Sequence, residues 1–94
     1  MELIPILERV EQNREFVGHP LCQDSLYMTM DFYKSVGFSP PYISYYAMKD
    51  NQLVGCAAFK GRPADGKVEI AYGTFEKYQH TGIGAEICKQ LVNL

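Results

Sequence analysis

Two glycines flanking one isoleucine, within Tyr78-Gln79-His80-Thr81-Gly82-Ile83-Gly84-Ala85-Glu86-Ile87, are the residues of this sequence best placed to do chemistry. The apolar stripe that follows them predicts a helix. The first turn of a helix presents backbone N–H groups without intrahelical partners, at the positive end of the macrodipole. Such an end holds an anion, and glycines let a pyrophosphate approach the main chain closely, while Ile83 between them points to the core. The same spacing suits an ordinary strand-to-helix connection, and spacing alone leaves the two readings equal. A second phosphate-loop candidate, Gly61-x-x-x-x-Gly66-Lys67, is followed by Val68 where a magnesium-holding Ser or Thr is required. Pro63 and Asp65-Gly66 there fit a hairpin turn that continues into a strand, not a helix. Gly82-Ile83-Gly84 does not extend into a dinucleotide fingerprint either, because the residue three places on is Ile87 and no βαβ unit precedes it. Cys22, Cys56 and Cys88 are scattered, with no Cys-x-x-Cys pair, so free thiols in a reducing setting and no metal site are expected.

These groups must be carried by a small chain. Ninety-four residues form one domain, 1–94, whose folding buries between about 60% and 70% of the unfolded surface. With 47% hydrophobic and 21% charged residues the composition is that of a folding chain rather than a disordered one. A net charge of -2 supplies no long-range attraction for nucleic acid or an anionic membrane, so any anion must be held locally. The longest apolar run, Leu53 to Phe59, is far short of the roughly 20 residues that span a bilayer, and the acidic N-terminus has no signal-peptide core, so a soluble, cytoplasmic protein is expected. Ile6, Leu7, Val10 and Val17 fall on one face and predict a helix over Pro5 to Val17, stopped by Gly18 and Pro20. Leu26, Tyr27, Met30 and Tyr33 predict a second helix from a cap at Asp24 to Gly37. Ser39-Pro40-Pro41 then forbids helix. Tyr42 to Lys49, Leu53 to Lys60 and Lys67 to Phe75 read as three antiparallel strands, the first two joined by Asp50-Asn51-Gln52. Ile83, Ile87, Cys88, Leu91 and Leu94 form the stripe of a final helix.

Directly after the strand Lys67 to Phe75, Gln79-His80-Thr81-Gly82-Ile83-Gly84 resembles the Gln/Arg-x-x-Gly-x-Gly/Ala motif of the GNAT superfamily of acetyl-CoA-dependent N-acetyltransferases, which stands directly after that family's fourth strand. LVGCAAFKGRPADGKVEIAYGTF resembles the family's third strand, hairpin and fourth strand, so the likeness covers residues 42–94. The helical region 1–40 fits the variable substrate-side part, although no first strand is recognised at Glu2 to Ile4. The resemblance implies an α+β fold of N-terminal helices, an antiparallel three-stranded meander and a pyrophosphate-binding helix.

It also implies acetyl-CoA as cofactor. The pantetheine arm would run along the backbone of Gly73, Thr74 and Phe75, and Gln79, His80, Thr81, Gly82, Ile83, Gly84 and Ala85 would hold the pyrophosphate. Glu69 is similar to the strand glutamate that takes the substrate proton in some members, often through water, and is equally readable as an ordinary polar strand residue. His19 and His80 are expected to be structural or solvent-exposed, and Tyr42, Tyr45 and Tyr46 to pack the sheet. The implied activity is transfer of an acetyl group to a small-molecule amine or a protein N-terminus. The alternative is a non-catalytic coenzyme A-binding module completed by a partner chain. A typical member continues with a fifth strand, a helix bearing a tyrosine general acid and a last strand pair. An incomplete fold, cut off in its last helix, is therefore expected, with a fourth-strand edge open to a homodimer partner or complementing chain.

Overall fold

The computed structural model describes residues 1–93, the side chain of Glu76 apart. Leu94, on which the expectation of a helix cut off at its end rests, lies outside the described residues. Four strands, β1 (Glu2–Pro5), β2 (Ser44–Lys49), β3 (Gln52–Phe59) and β4 (Ile70–Thr74), form one antiparallel sheet in the order β1-β2-β3-β4. The helices are α1 (Arg14–Val17), α2 (Gln23–Val36) and α3 (Ile83–Val92), with short 3-10 turns at Val10–Gln12 and Glu76–Tyr78. No helix is long and apolar enough to cross a membrane among the described residues.

The predicted meander of β2, β3 and β4 is present, and its turns are made by the residues the sequence supplies for them. Asp50 and Asn51 both take positive φ, 52° and 62°, the backbone of a tight two-residue hairpin. Asp65 and Gly66, at 53° and 74°, do the same between Ala64 and Lys67, which exchange hydrogen bonds of 2.8 and 2.9 Å. The Gly61-to-Lys67 segment is thus a hairpin turn and not a phosphate loop. Behind it regular pairing begins at Ile70, so β4 is shorter than the expected Lys67 to Phe75.

The N-terminal segment departs from its expected form. Glu2–Pro5 is a strand, paired Glu2↔Met48 through Pro5↔Tyr45, and the ladder is prolonged by Ile6 N–H to the Ser44 carbonyl at 2.9 Å. The expected helix over Pro5 to Val17 is instead a turn, a 3-10 segment and the single turn of α1. Asn13 is the cause. Its buried side chain accepts from Leu7 N–H at 2.7 Å and donates to the carbonyls of Leu7 and Arg9 at 3.2 and 2.9 Å. A side-chain amide that satisfies these backbone groups competes directly with helix formation. The residues that enter the core are Ile6 and Phe16, while Leu7 and Val17 stay partly exposed.

The helices lie on opposite faces of the sheet. On one face α2 is tied down by Tyr33, whose buried hydroxyl donates to the Ile6 carbonyl at 2.7 Å and accepts from Ser44 N–H at 2.9 Å. On the other, α3 sets Ile83, Ile87 and Leu91 against β3 and β4. β2 is buried on both faces from Ser44 to Ala47, which is why its sequence shows no polar alternation. Helix α2 begins at Gln23, one residue before the expected cap; Asp24 sits in its first turn and complements the dipole, and Gly37 at φ 89° ends it.

Candidate functional site

β4 delivers the chain to the start of α3 through the 3-10 turn, and each step of that passage is fixed locally. Tyr78 N–H bonds the Phe75 carbonyl at 2.8 Å, the Tyr78 hydroxyl reaches Gln52 Oε1 at 2.6 Å, and the Thr81 hydroxyl turns back to the Tyr78 carbonyl. His80 takes φ 64° and Gly82 φ 83°, so the backbone reverses twice before the helix. Glu86 N–H to the Gly82 carbonyl, 3.2 Å, is the first intrahelical bond, which leaves the amides of Ile83, Gly84 and Ala85 at the helix mouth. A hollow of about 470 Å³ opens there, lined by Tyr72, Gly73, Thr74, Gln79, His80, Gly82, Gly84 and Ala85. Seven of these eight residues belong to the set the resemblance assigns to the cofactor; Tyr72 is the addition.

The two glycines act for different reasons. Gly82 is needed for its left-handed backbone, since nothing stands within 4 Å of a Cβ there. Gly84 has ordinary helical geometry, but a Cβ would stand 3.3 Å from Thr74 Oγ1 and 3.8 Å from the Tyr72 ring, inside the hollow. Ile83 is buried and anchors the helix, as expected. Glu86, a carboxylate in the first turn that would repel an anion, is engaged by Lys49 at 3.1 Å to both oxygens.

The register of β4 corrects part of the pantetheine assignment. Lys60 N–H bonds the Glu69 carbonyl at 2.8 Å and Phe75 N–H bonds the Val54 carbonyl at 3.0 Å. In an antiparallel ladder the residues between alternate, so Glu69, Ala71, Gly73 and Phe75 turn their backbone groups toward β3. The Gly73 carbonyl indeed lies 2.3 Å from where a Cβ on Gly55 would stand. Of Gly73, Thr74 and Phe75, only Thr74 presents its backbone to the far edge, together with Ile70 and Tyr72. Gln79 already reaches that edge, its Nε2 donating to the Thr74 carbonyl at 3.4 Å.

Glu69 precedes β4 by one residue, with an exposed side chain on the α2 face shared by Ala71 and Gly73. On that face two hollows of about 300 and 280 Å³ share Ser25, Thr29, Ser44, Ala58 and Ala71 as lining and form one groove between α2 and the sheet. Tyr46, Cys56 and Gly73 stand in one register row across its inner end. The fully buried Tyr46 hydroxyl shares a 2.7 Å hydrogen bond with Ser25 Oγ. Burial pushes its pKa well above the ordinary tyrosine value, against the lowering effect of that bond, so it stays protonated. Burial also raises the pKa of the Cys22 and Cys56 thiols. His19 makes only a local contact, its Nδ1 accepting from Leu21 N–H at 3.1 Å. This groove was not visible beforehand; the one local trace of it is the Ser25 and Thr29 spacing, which places both on one side of α2.

Glycine at the helix mouth, three amides in the first turn and a strand edge that is unpaired among the described residues fit a phosphate-bearing ligand with an extended arm. A family model described as the acetyltransferase (GNAT) family matches residues 7–94. The chain belongs to the acetyltransferase (GNAT) family. The match reaches back through α2 to residue 7, beyond the stretch that carries the motif. It assigns acyl-CoA-dependent N-acyltransferase chemistry in general. No curated protein and no solved structure gives a significant match.

Proposed function

We propose that this GNAT chain is an N-acetyltransferase that binds acetyl-CoA along β4 and passes its acetyl group directly to a primary amine entering from the α2 face. The observation that carries the reading is the continuity of the Thr74 edge with the Gly82–Ala85 helix mouth in one hollow. The amides of Ile83, Gly84 and Ala85 would hold the pyrophosphate, and the outward backbone groups of Ile70, Tyr72 and Thr74 would pair with the pantetheine amides. When bound, acetyl-CoA supplies an activated thioester carbonyl.

Only a neutral amine has the lone pair needed to attack that carbonyl. Glu69 lies two residues before Ala71 with an exposed side chain on the α2 face, where it would reach an acceptor ammonium directly or through one water. There it would take the proton that the acceptor ammonium must lose. Transfer would form the new N–C bond as the C–S bond breaks, with the remaining proton of the attacking nitrogen going to the departing sulfur. Burial raises the thiol pKa of Cys22 and Cys56, which disfavours an acetyl-cysteine stage at these two residues, because the thiolate is the nucleophile.

Thermal denaturation with acetyl-CoA tests the binding half. At about 100 times its dissociation constant, a ligand of the folded state adds about 2.7 kcal/mol. Release of free thiol with a panel of primary amines tests the transfer half. Binding without thiol release would favour a coenzyme A-binding module, and no stabilisation at millimolar acetyl-CoA would refute the proposal.

A further inference from the structure

We propose that the acceptor is a free α-amino acid with an apolar side chain: Lys60 takes its carboxylate, Glu69 faces its ammonium, and the groove between α2 and the sheet takes its side chain. The proposal rests on the N-acyltransferase reading and names the acceptor class for it. Lys60 N–H bonds the Glu69 carbonyl at 2.8 Å, which continues the register Ala58↔Ala71, Phe59↔Ile70 by one more pair. Residues directly opposite in an antiparallel ladder turn their side chains to one face, with Cα atoms about 5.5 Å apart in a hydrogen-bonded pair. An ammonium and a carboxylate therefore stand side by side on the α2 face. Both side chains are exposed. The ion pairs among the described residues are Lys34 with Asp31 and Lys49 with Glu86, so neither Lys60 nor Glu69 is engaged in one. Two opposite charges with one ligand-sized gap between them match the two charges that an α-amino acid carries on one carbon.

The groove supplies the rest of the selection. Ser25, Thr29 and Ser44 place hydroxyls along it, and hydroxyls both accept and donate, so they set no preference for the sign of a ligand's charge. Lys60 sets it, being the one charged side chain that lines the groove among the described residues. A carboxylate on the acceptor gains a partner there, and a second ammonium is repelled. Ala58 and Ala71 lie two residues inward from Lys60 and Glu69 on the same face, so a ligand held by its charged head lays its side chain over them. Met28 and Phe32 of α2 wall that space. A charged side chain there would lose water against apolar walls, so an apolar one is selected.

The test is titration of the unmodified chain, without cofactor, followed through backbone amide NMR shifts. The probes are L-phenylalanine, 2-phenylethylamine, which has the same ring and amine without the carboxylate, and L-aspartate, which has the same head on a charged side chain. L-phenylalanine should shift Ala58, Lys60, Glu69 and Ala71 and bind about fivefold tighter than 2-phenylethylamine, the size of one partly exposed ion pair. L-aspartate should bind at least about tenfold more weakly than L-phenylalanine. Lys60→Glu, a change at an exposed position, should reverse the order of the first two probes. Equal binding of L-phenylalanine and 2-phenylethylamine, shifts located elsewhere, no binding of L-phenylalanine, tighter binding of L-aspartate, or an unchanged order in Lys60→Glu would overturn the proposal. If acetyl-CoA stabilises the chain while L-phenylalanine does not bind, the acceptor class fails and the transferase reading stands. L-phenylalanine bound in this groove of a chain that does not bind acetyl-CoA would refute the transferase reading alone.

Discussion

Alanine at Gly82 and alanine at Gly84 should separate two effects that a glycine pair usually confounds. At Gly82 the backbone sits at φ 83° with open space around a Cβ. An L-residue there carries the left-handed penalty, about 1–2 kcal/mol, and gains no contact. For a domain of this size that lowers the melting temperature by roughly 4–16 °C, at about 4–8 °C per kcal/mol. Gly84 is helical, so alanine recovers up to ~1 kcal/mol of helix propensity. Its Cβ would stand 3.3 Å from Thr74 Oγ1, which has to give by a few tenths of an ångström. The two terms oppose each other, and the melting temperature should move little. The cost falls on the ligand instead, because the same methyl group occupies the floor of the hollow at the helix mouth. Displacing a phosphate oxygen from one amide loses a charge-assisted hydrogen bond of about 1.5–3 kcal/mol, or roughly tenfold to a hundredfold in affinity. Calorimetric titration with acetyl-CoA beside a thermal melt reads both quantities. A Gly84→Ala variant with unchanged acetyl-CoA affinity, or one that melts far below Gly82→Ala, would refute the assignment of this hollow to the pyrophosphate.

Glu69→Gln should lower the rate of acetyl transfer by about 10²–10⁴-fold if Glu69 is the base, with the acetyl-CoA dissociation constant unchanged. Retention of the full rate in a thiol-release assay would return Glu69 to an ordinary polar surface residue. Tyr33→Phe should destabilise the fold by about 1–3 kcal/mol in a urea titration, since it leaves Ser44 N–H and the Ile6 carbonyl without their shared partner. Alkaline stability follows from the buried phenols and thiols. Tyr33, Tyr45, Tyr46, Cys22 and Cys56 all have pKa values raised first of all by burial, so the unfolded chain releases their protons before the folded one does. Their contribution is fully present below the unfolded values, near 9 for the thiols and 10 for the phenols, and is lost as pH rises through the higher folded values. Urea midpoints should fall steadily above pH 9, and a flat profile to pH 11 would show that these groups titrate normally.

How far these features can be read from the chain depends on whether the partners are neighbours in sequence. The turns at Asp50-Asn51 and Asp65-Gly66 are legible because two adjacent residues supply the whole backbone conformation. The helix mouth is legible for the same reason, its open groups being the consecutive amides from Ile83 to Ala85. β1 is not, because four residues with no distinctive alternation become a strand only by pairing with Tyr45 to Met48. The helix expected over Pro5 to Val17 fails because Asn13 binds backward to Leu7 and Arg9, an interaction that apolar periodicity does not register. The outward edge of β4 lies between these cases. The strand itself is readable, but which of its residues face outward depends on the pairing of Phe75 with Val54, which the hairpin at Asp65-Gly66 sets from the far end of the ladder. A one-residue change in that pairing would turn Gly73 outward and Thr74 inward. The groove between α2 and the sheet is least legible, since its hydroxyls come from α2 and β2 and its floor from β3 and β4. In a transferase built this way, the grip on the common cofactor is local backbone and the choice of acceptor is long-range side-chain packing. Substitutions in α2 should therefore change acceptor preference while leaving the helix mouth, and with it acetyl-CoA affinity, as it is.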